Sequence, residues 1–236
     1  MKHVFWTGPF WIGIGLLAGL CAPNTQAQPR AWVEGKNYVL LTPVQPTHVA
    51  AGKVEVLEVF SYGCPACNAF QPVIQKLERN LPPNAQMAFL PASFSAAEDM
   101  PMFQRAFLAA QYLGVAERAH QAIYDAVWKT GELAVIDPIS RRAKSRLPSL
   151  EDVARCYGRL TGVNPAEFVR AARSFAVDTR MRAADSQIVA MAAPGTPCLV
   201  VNGKYRIELD TLHSLDDVID IVRWLVNKES RRATHS

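Results

Sequence analysis

The strongest strand signal in the chain is Val54–Phe60, a short run of mainly β-branched and apolar residues. Glycine and small polar residues bound this run, as is typical of a buried strand. Apolar residues then recur at helical spacing from Phe70 to Leu77 and stop before Pro82, which predicts a helix. Met87–Leu90 is predicted to be a second strand. Strand, helix and strand in this order indicate a parallel βαβ unit.

Only helical patterns follow, from about residue 98 to about residue 190. Asn164, Pro165 and Glu167 supply a cap, a first-turn proline and a capping-box acid, so a helix is predicted to begin there. Ser149 and Asp152 make a weaker signal of the same kind. The sequence therefore predicts a bundle of helices, roughly 90 residues long, that interrupts an α/β unit.

The strand pattern returns at Pro197–Val201. Asn202-Gly203 is a strong signal for a two-residue hairpin turn, and Lys204–Leu209 is predicted to be the returning strand. Ser214 then caps a last helix whose apolar residues fall on one face. We therefore expect the carboxyl-terminal part of the chain to complete the α/β unit.

The composition is that of a folded protein, since 50% of the 236 residues are hydrophobic and 19% are charged. This length supports one sizeable core, or one domain that carries a large insertion. The 25 lysines and arginines exceed the 21 acids only slightly, giving a net charge of +4. Because the basic residues are scattered among acidic ones, the sequence does not predict nucleic-acid binding.

The amino-terminal segment has the features of an export signal. No charged residue occurs between Lys2 and Arg30, the segment is largely apolar, and small residues surround Ala27. We predict a signal peptide over residues 1–27, cleaved after Ala27. An uncleaved membrane anchor and a lipidated Cys21 are the alternatives. All three place the folded part outside the cytoplasm, where disulfide chemistry is permitted.

The candidate chemistry lies in Cys64-Pro65-Ala66-Cys67, where the first predicted strand ends and the helix begins. A helix N-terminus presents unpaired N–H groups and a partial positive charge, which stabilise a thiolate, the form that attacks disulfides. Two intervening residues also let the cysteines close a small ring. We predict that Cys64 is the exposed nucleophile, and that Cys67 is more buried and attacks a mixed disulfide held on Cys64.

A single CxxC could instead be half of a zinc site. A second CxxC or a paired histidine cluster is missing from the sequence. The remaining candidates are isolated in sequence: Cys156, Cys198, His48, His120 and His213. We therefore favour redox chemistry and expect neither a metal nor another cofactor. Cys198 is expected to be a buried, unreactive thiol, with a pairing to Cys156 as the alternative.

Glu58 is the unexpected residue of its strand. By two-residue alternation it shares a face with Val54, Val56 and Phe60, so its carboxyl is expected to point into apolar surroundings. Burial would raise its pKa and make it a proton acceptor for Cys67. In the structural alternative, Glu58 reaches a sheet edge or pairs with a lysine, the candidates being Lys53 and Lys204.

Three parts of the chain together resemble the DsbA family of periplasmic thiol:disulfide oxidoreductases. They are the segment Glu58–Cys67, the helical insertion, and the pair of motifs Gly195-Thr196-Pro197 and Val200–Tyr205. The resemblance covers essentially the whole chain after the leader. It implies an α/β protein, a thioredoxin fold with an inserted all-helical domain. The expected boundaries are 38–96 and 193–228 for the two parts of the thioredoxin domain and 97–192 for the helical insertion.

The resemblance also concerns the residues around the cysteines. Pro197 directly precedes a strand, where a cis proline makes a tight turn, so we predict a cis Thr196-Pro197 bond close to the cysteines. An ordinary loop proline is the alternative. Thioredoxin-like folds, which the chain resembles, pair the backbone of the residue before this proline, here Thr196, with the substrate. The dipeptide Pro65-Ala66 departs from the family, whose usual member has His in place of Ala66.

The favoured function is transfer of the Cys64–Cys67 disulfide to folding proteins through a mixed disulfide. The resemblance implies unfolded or reduced exported proteins as partners, reoxidation by a DsbB-like membrane quinone reductase, a periplasmic location and a monomer. A disulfide reductase or isomerase is the first alternative, although the isomerases that look like this family have a separate amino-terminal dimerisation domain. The other alternative is a chaperone-like binding module with an idle CxxC.

Overall fold

The computed structural model describes residues 31–94, 100–137, 142 and 144–233. The predicted signal peptide 1–27 and Cys21 lie outside the described residues. The architecture below is that of the compact unit Trp32–Ser236. Within the described ranges, no helix is long and apolar enough to cross a membrane.

Five strands form one mixed sheet. They are β1 Tyr38–Leu40, β2 Val54–Phe60, β3 Ala85–Pro91, β4 Cys198–Val201 and β5 Tyr205–Ile207, in the order β1-β5-β4-β2-β3. β2 pairs in parallel with β3 and antiparallel with β4, so the predicted parallel βαβ unit is confirmed. Because β2 has a strand on each side and helices over both faces, all seven of its residues are buried.

Seven α-helices accompany the sheet in the described part of the chain. They are α1 Pro65–Asn80, α2 Met100–Tyr112, α3 Ala116–Trp128, α4 Leu150–Thr161, α5 Pro165–Ala172, α6 Phe175–Ala190 and α7 Leu215–Ala233. The start signals are confirmed, because Ser149 and Asp152 form a reciprocal capping box and the Asn164 side chain caps α5. Helices α2–α6 fall between β3 and β4 and make up the helical insertion.

The hairpin between β4 and β5 differs from the prediction by one residue. Asn202 and Gly203 both have positive φ, as a tight turn of this kind requires. Val201 nevertheless pairs with Tyr205, so the loop contains three residues rather than two. Lys204 N donates to the carbonyl of Val201 at 3.0 Å, which closes the turn over Asn202 and Gly203, and its own carbonyl accepts from Leu41 N at 2.8 Å.

Two large apolar clusters both pack against Phe89 of β3. One lies between the sheet, α1 and α7, and it includes Val54, Val56 and Leu77. The other fills the helical insertion and takes in Phe60 and Tyr62. Since both cysteines of the CxxC motif belong to the second cluster, the helical insertion packs directly behind them.

Candidate active site

Cys64 is the N-cap of α1, with Pro65 in the first turn. A turn after β2 brings it there, in which Cys64 N donates to the carbonyl of Ser61 at 3.2 Å and Gly63 N donates to Ser61 Oγ at 3.2 Å. The sulfur of Cys64 accepts a hydrogen bond from Cys67 N at 3.4 Å. The predicted junction of strand and helix is therefore confirmed at this position.

The environment of Cys64 favours its thiolate. The hydrogen bond with the Cys67 side chain is the largest influence, and contacts with Thr196 and with the N–H groups of Cys67 and Ala66 act in the same direction. Together they outweigh burial and lower the pKa of Cys64 to about 6. At neutral pH the thiol of Cys64 is thus mainly ionised, which suits both a nucleophile and a leaving group.

Cys67 lies one helical turn deeper and is fully buried. Burial raises its pKa strongly, and the neighbouring Cys64 and Glu58 add to the effect. Both sulfurs are free in this structure, which therefore shows the reduced dithiol. The predicted order of burial holds, but Cys64 was expected to be exposed and only 6% of it is accessible. The exposed residues of the motif are Pro65 and Ala66.

The loop before β4 covers Cys64. The Thr196-Pro197 peptide bond is cis, as predicted, and Cys64 Sγ lies 3.4 Å from the carbonyl oxygen of Thr196. This contact places the loop against Cys64, on which the helical insertion also packs. A second cis bond, Thr42-Pro43, was not predicted from the sequence.

Glu58 is fully buried in β2, between Phe89 of β3 and Leu199 of β4. Neither of its carboxylate oxygens has a hydrogen-bond partner among the described residues. Burial raises its pKa well above the usual range, and the charges of Glu78 and Cys64 add to the effect. The expectation of apolar surroundings is confirmed.

The alternative in which a lysine neutralises Glu58 is wrong. Lys204 instead pairs with Glu229 at 3.1 Å, and the ammonium group of Lys53 donates to the carbonyl of Pro83. Glu58 is therefore an unpaired carboxyl group whose charge raises the pKa of Cys67, and whose own pKa is raised by the charge of Cys64.

The other two cysteines of the described chain are buried in different apolar clusters. Cys198 is buried among residues of the sheet and α6, and burial raises its pKa to about 12. Cys156 is buried in the helical insertion, where its sulfur lies 3.5 Å from Arg159. Both are free thiols, so the alternative of a Cys156–Cys198 pair is wrong for this structure. Within the described ranges, no group of three potential ligands is arranged to hold a metal.

The sequence analysis missed the importance of Ser61 and Tyr62. Ser61 orders the turn into the helix through both its hydroxyl and its carbonyl. Tyr62 is buried, and its hydroxyl lies 2.9 Å from Nδ1 of His120, which looked isolated in the sequence. A serine three residues before a helix cap is a recognisable turn signal. The partner of Tyr62 was not foreseeable, because it lies 58 residues away.

Comparison with protein families gives one match that spans most of the chain. Residues 55–220 match the model of the DSBA-like thioredoxin domain. Among curated proteins, the chain is 32% identical over 222 residues to the thiol:disulfide interchange protein DsbA of Azotobacter vinelandii, covering 91% of this chain and 94% of that protein. It is 30% identical over 207 residues to DsbA of Pseudomonas aeruginosa, covering 88% of this chain and 90% of that one.

Solved structures give the same result. The crystal structure of the oxidoreductase DsbA from Xylella fastidiosa matches with a TM-score of 0.70 at 32% identity, over 84% of this chain and 97% of that one. The crystal structure of Pseudomonas aeruginosa DsbA matches with a TM-score of 0.68 at 29% identity, over 87% and 97% of the two chains. The similarity thus extends from the cysteine motif to the arrangement of the whole fold.

Proposed function

The chain belongs to the DSBA-like thioredoxin family of thiol:disulfide oxidoreductases, and on this basis we propose that it is an exported oxidase that transfers its Cys64–Cys67 disulfide to reduced or unfolded exported proteins. One arrangement carries the proposal: Cys64 caps α1, its pKa is lowered to about 6, and its sulfur faces the cis Thr196-Pro197 loop. A sulfur that is stable as a thiolate favours the reduced enzyme, and so drives oxidation of the substrate.

The reaction proceeds by two displacements at sulfur. A substrate thiolate attacks Cys64 Sγ of the oxidised enzyme, so that a substrate–Cys64 disulfide forms and Cys67 leaves with the electron pair of the broken bond. A second substrate thiolate then attacks the substrate sulfur of this mixed disulfide and releases Cys64 as a thiolate. Two electrons pass from the substrate dithiol to the enzyme, and the substrate gains one disulfide.

Glu58 supplies the proton that Cys67 needs. The buried Cys67 thiolate is unfavourable, as the raised pKa of Cys67 indicates, and it must be protonated when it leaves. Glu58 is close enough for its charge to affect Cys67, and burial raises the pKa of its own carboxyl, which is then available as the proton donor. In the reverse direction, when Cys67 attacks a mixed disulfide, Glu58 is the proton acceptor.

Thr196 and Pro197 provide the substrate contact. The loop lies beside Cys64, so an extended substrate segment whose cysteine reaches Cys64 Sγ must pass along this loop. We assign the backbone of Thr196 as the group that pairs with the substrate, because an extended segment binds through main-chain hydrogen bonds.

The reduced enzyme must return two electrons before the next turnover. We assign this step to a membrane quinone reductase similar to DsbB, and we place the protein in the periplasm as a monomer. The amino-terminal sequence supports export, because a basic residue, an uncharged apolar stretch and small residues at Ala27 follow in order. Fractionation of cells that express the full chain, with the processed mass of the protein, tests this assignment.

Trapping of intermediates tests the mechanism. Cys67→Ser leaves the nucleophile without its resolving partner, so this variant is expected to accumulate disulfide-linked adducts with substrate proteins. Cys64→Ser should form none, and Cys198→Ser should behave like the parent because the Cys198 sulfur is buried in a different apolar cluster from Cys64 and Cys67. Adducts on Cys64→Ser alone would reverse the two roles. Faster repair of a scrambled disulfide protein than oxidation of a reduced one would favour the isomerase alternative.

A further inference from the structure

One face of α3 carries three ring side chains at four-residue intervals, His120, Tyr124 and Trp128. Residues at this spacing lie above one another on a helix. Tyr124 is fully buried, His120 is nearly so, and Trp128 packs against the same apolar cluster. We call these three residues the α3 stripe.

Each member of the α3 stripe makes a polar contact with Ser61 or Tyr62, the residues that connect β2 to the CxxC motif. Trp128 Nε1 donates to the carbonyl of Tyr62 at 2.8 Å. The Tyr124 hydroxyl donates to the carbonyl of Ser61 at 3.4 Å. Nδ1 of His120 lies 2.9 Å from the Tyr62 hydroxyl.

The Tyr124 contact reaches Cys64 through a shared atom, and the other two act on the neighbouring residue Tyr62. The carbonyl oxygen of Ser61 accepts from Tyr124 and also from the N–H of Cys64, at 3.2 Å. Tyr62 is 1% exposed, and Trp128 is the one donor to its carbonyl among the described residues. The position of the turn, and with it the position of Cys64 at the helix N-terminus, therefore depends on α3.

His120 and Tyr124 carry no charge at physiological pH, and Tyr124 also contacts the Cys67 side chain. Burial lowers the pKa of His120 to about 3, so its ring is neutral at physiological pH. Burial also raises the pKa of Tyr124 well above its usual value, so its hydroxyl keeps its proton. The rings are packed edge to face, with centroids 4.9 Å apart for Tyr62 and Tyr124, which holds them in place.

We propose that His120, Tyr124 and Trp128 are positioning residues through which the helical insertion sets the stability of the Cys64 thiolate. The proposal rests on the function proposed above and extends it to the helical insertion. The hydrogen bond from Cys67 N to Cys64 Sγ, at 3.4 Å, needs the sulfur to lie in line with the helix N-terminus. If the turn is displaced, the sulfur of Cys64 moves away from the Cys67 N–H and this hydrogen bond weakens.

Two conservative substitutions test the proposal, each with a matched control in the other apolar cluster. Trp128→Phe and Tyr124→Phe delete the donors to Tyr62 and Ser61 while keeping an aromatic ring. Trp224→Phe and Tyr38→Phe make the same changes beside α7, where the Tyr38 hydroxyl binds Lys228 instead. The readouts are ultraviolet thiolate titration of Cys64, equilibration with glutathione, and urea unfolding.

We expect Trp128→Phe and Tyr124→Phe each to raise the pKa of Cys64 by about half a unit or more, which corresponds to a roughly threefold change in the equilibrium with glutathione, toward the disulfide. The two controls should leave both quantities unchanged even if they lower the stability. The proposal would be overturned if Trp128→Phe and Tyr124→Phe changed neither the pKa of Cys64 nor the equilibrium with glutathione and lost only as much stability as the controls. The α3 stripe would then contribute packing alone. Tyr124→Phe removes a single oxygen, so it provides the test should Trp128→Phe fail to fold.

The test of the α3 stripe can fail without contradicting the proposed function, and the reverse is also true. Thiolate titration and glutathione equilibration use the purified protein without a substrate. A Cys67→Ser variant that forms no adducts through Cys64 contradicts the proposed function. If Cys67→Ser forms these adducts but the pKa of Cys64 is the same in the parent and in the α3 stripe variants, only this inference is contradicted.

Discussion

The proton-transfer role that we propose for Glu58 has a thermodynamic cost. A carboxyl group buried without a partner destabilises the fold in its charged form, and the folded protein therefore holds its proton more tightly than the unfolded chain does. Because the pKa is raised on folding, the penalty is absent at low pH. It begins near the unfolded pKa of about 4.3 and grows as the pH rises toward the folded value.

Glu58→Gln should therefore gain stability relative to the parent as the pH rises. The difference in the free energy of unfolding should grow by up to about 1.4 kcal/mol for each pH unit above about pH 4.3, until the folded-state pKa is passed. Urea unfolding of both proteins at several pH values between 4 and 8 measures it. The same variant should release mixed disulfides about 100-fold more slowly, because a proton-transfer group is lost.

Glu229→Gln is the matched control. Glu229 is also buried, and burial alone would raise its pKa, but hydrogen bonds from Tyr205, Asn202 and Lys204 outweigh burial and lower it. Its replacement should therefore destabilise the protein at neutral pH, opposite in sign to Glu58→Gln. A loss of stability in Glu58→Gln that is independent of pH would contradict the account of an unpaired carboxyl.

Ala66 is the residue of the CxxC motif at which this chain differs from the pattern expected for the family. Its N–H contributes to the lowered pKa of Cys64, but its methyl group offers no hydrogen-bond donor. Ala66 is exposed, so a larger side chain fits there without repacking. The redox potential of the parent is accordingly expected between the extremes of the fold, roughly −120 mV and −270 mV.

Ala66→His should lower the pKa of Cys64 below its present value of about 6, since an imidazole N–H can donate to the thiolate. The protein should become more oxidising, by ~30 mV for each ~1.4 kcal/mol of thiolate stabilisation. Thiolate titration and glutathione equilibration measure both effects. Ala69→His, also exposed and one turn further along α1, controls for adding a histidine to the helix. An equal shift in both variants would mean that general charge, rather than the dipeptide position, sets the potential.

Single residues were predictable where the pattern of one strand or one helix determines their environment. The burial of Glu58 followed from alternation in β2, and the N-cap position of Cys64 followed from the strand–helix junction. The loop at Thr196 was expected close to the cysteines, but the low accessibility of Cys64 was not predicted, because it also depends on packing against the helical insertion.

At the scale of elements, the turn between β4 and β5 is held by a close approach of two backbones. Gly203 has a φ of +61°, and a Cβ built on it would lie 2.1 Å from the carbonyl oxygen of Gln45. The carbonyl of Gly203 also accepts a hydrogen bond from Gln45 N at 2.8 Å. Only glycine satisfies both the backbone conformation and the contact.

Gly203→Ala should destabilise the protein by about 2–5 kcal/mol, the sum of a positive-φ penalty and a steric one. Gly162→Ala separates the two, because Gly162 has a φ of +80° and no atom within 4 Å of its would-be Cβ. It should cost only about 1–2 kcal/mol. Urea unfolding at neutral pH measures the free energy of unfolding of both variants. Equal losses of stability would show that the backbone at Gln45 moves to accommodate the new methyl group without a measurable penalty.

Elements were predictable in type more reliably than in extent. The patterns of β2, α1 and α5 carry strong internal signals, such as the Asn164 cap, and these elements begin where predicted. The predicted return strand Lys204–Leu209 is shorter, Tyr205–Ile207, and a 3-10 helix follows at Leu209–Thr211. Its limits depend on pairing with β1, which the local pattern does not encode.

At the scale of the whole molecule, the α3 stripe shows what sequence analysis could and could not supply. The helical insertion was predictable as a stretch of helices, because capping signals and helical spacing are local. The way it packs behind Phe60 and Tyr62 was not, since that depends on contacts between residues about 60 positions apart.

The two cysteines also couple the redox state to the stability of the whole molecule. In the reduced protein, the pKa of Cys64 is about 6, whereas in an unfolded chain it is about 8.5. A thiol whose pKa is depressed on folding contributes stability that is fully present above about pH 8.5 and is lost as the pH falls through 6. The oxidised protein has no such group, so only the reduced form gains.

The stability of the reduced protein relative to the oxidised protein should thus rise between about pH 6 and pH 8.5. Above that range Cys67 acts in the opposite direction: burial raises its pKa, so the folded protein keeps a proton that the unfolded chain loses. The difference in the free energy of unfolding between the reduced and the oxidised protein should therefore pass through a maximum near pH 8.5.

Urea unfolding of both redox forms at pH 5.5, 7, 8.5 and 9.5 measures this difference. Reduced Cys64→Ser should lack the rise below pH 8.5 but keep the fall above it. Parallel curves for the two redox forms would show that the Cys64 thiolate contributes nothing to the stability of the fold.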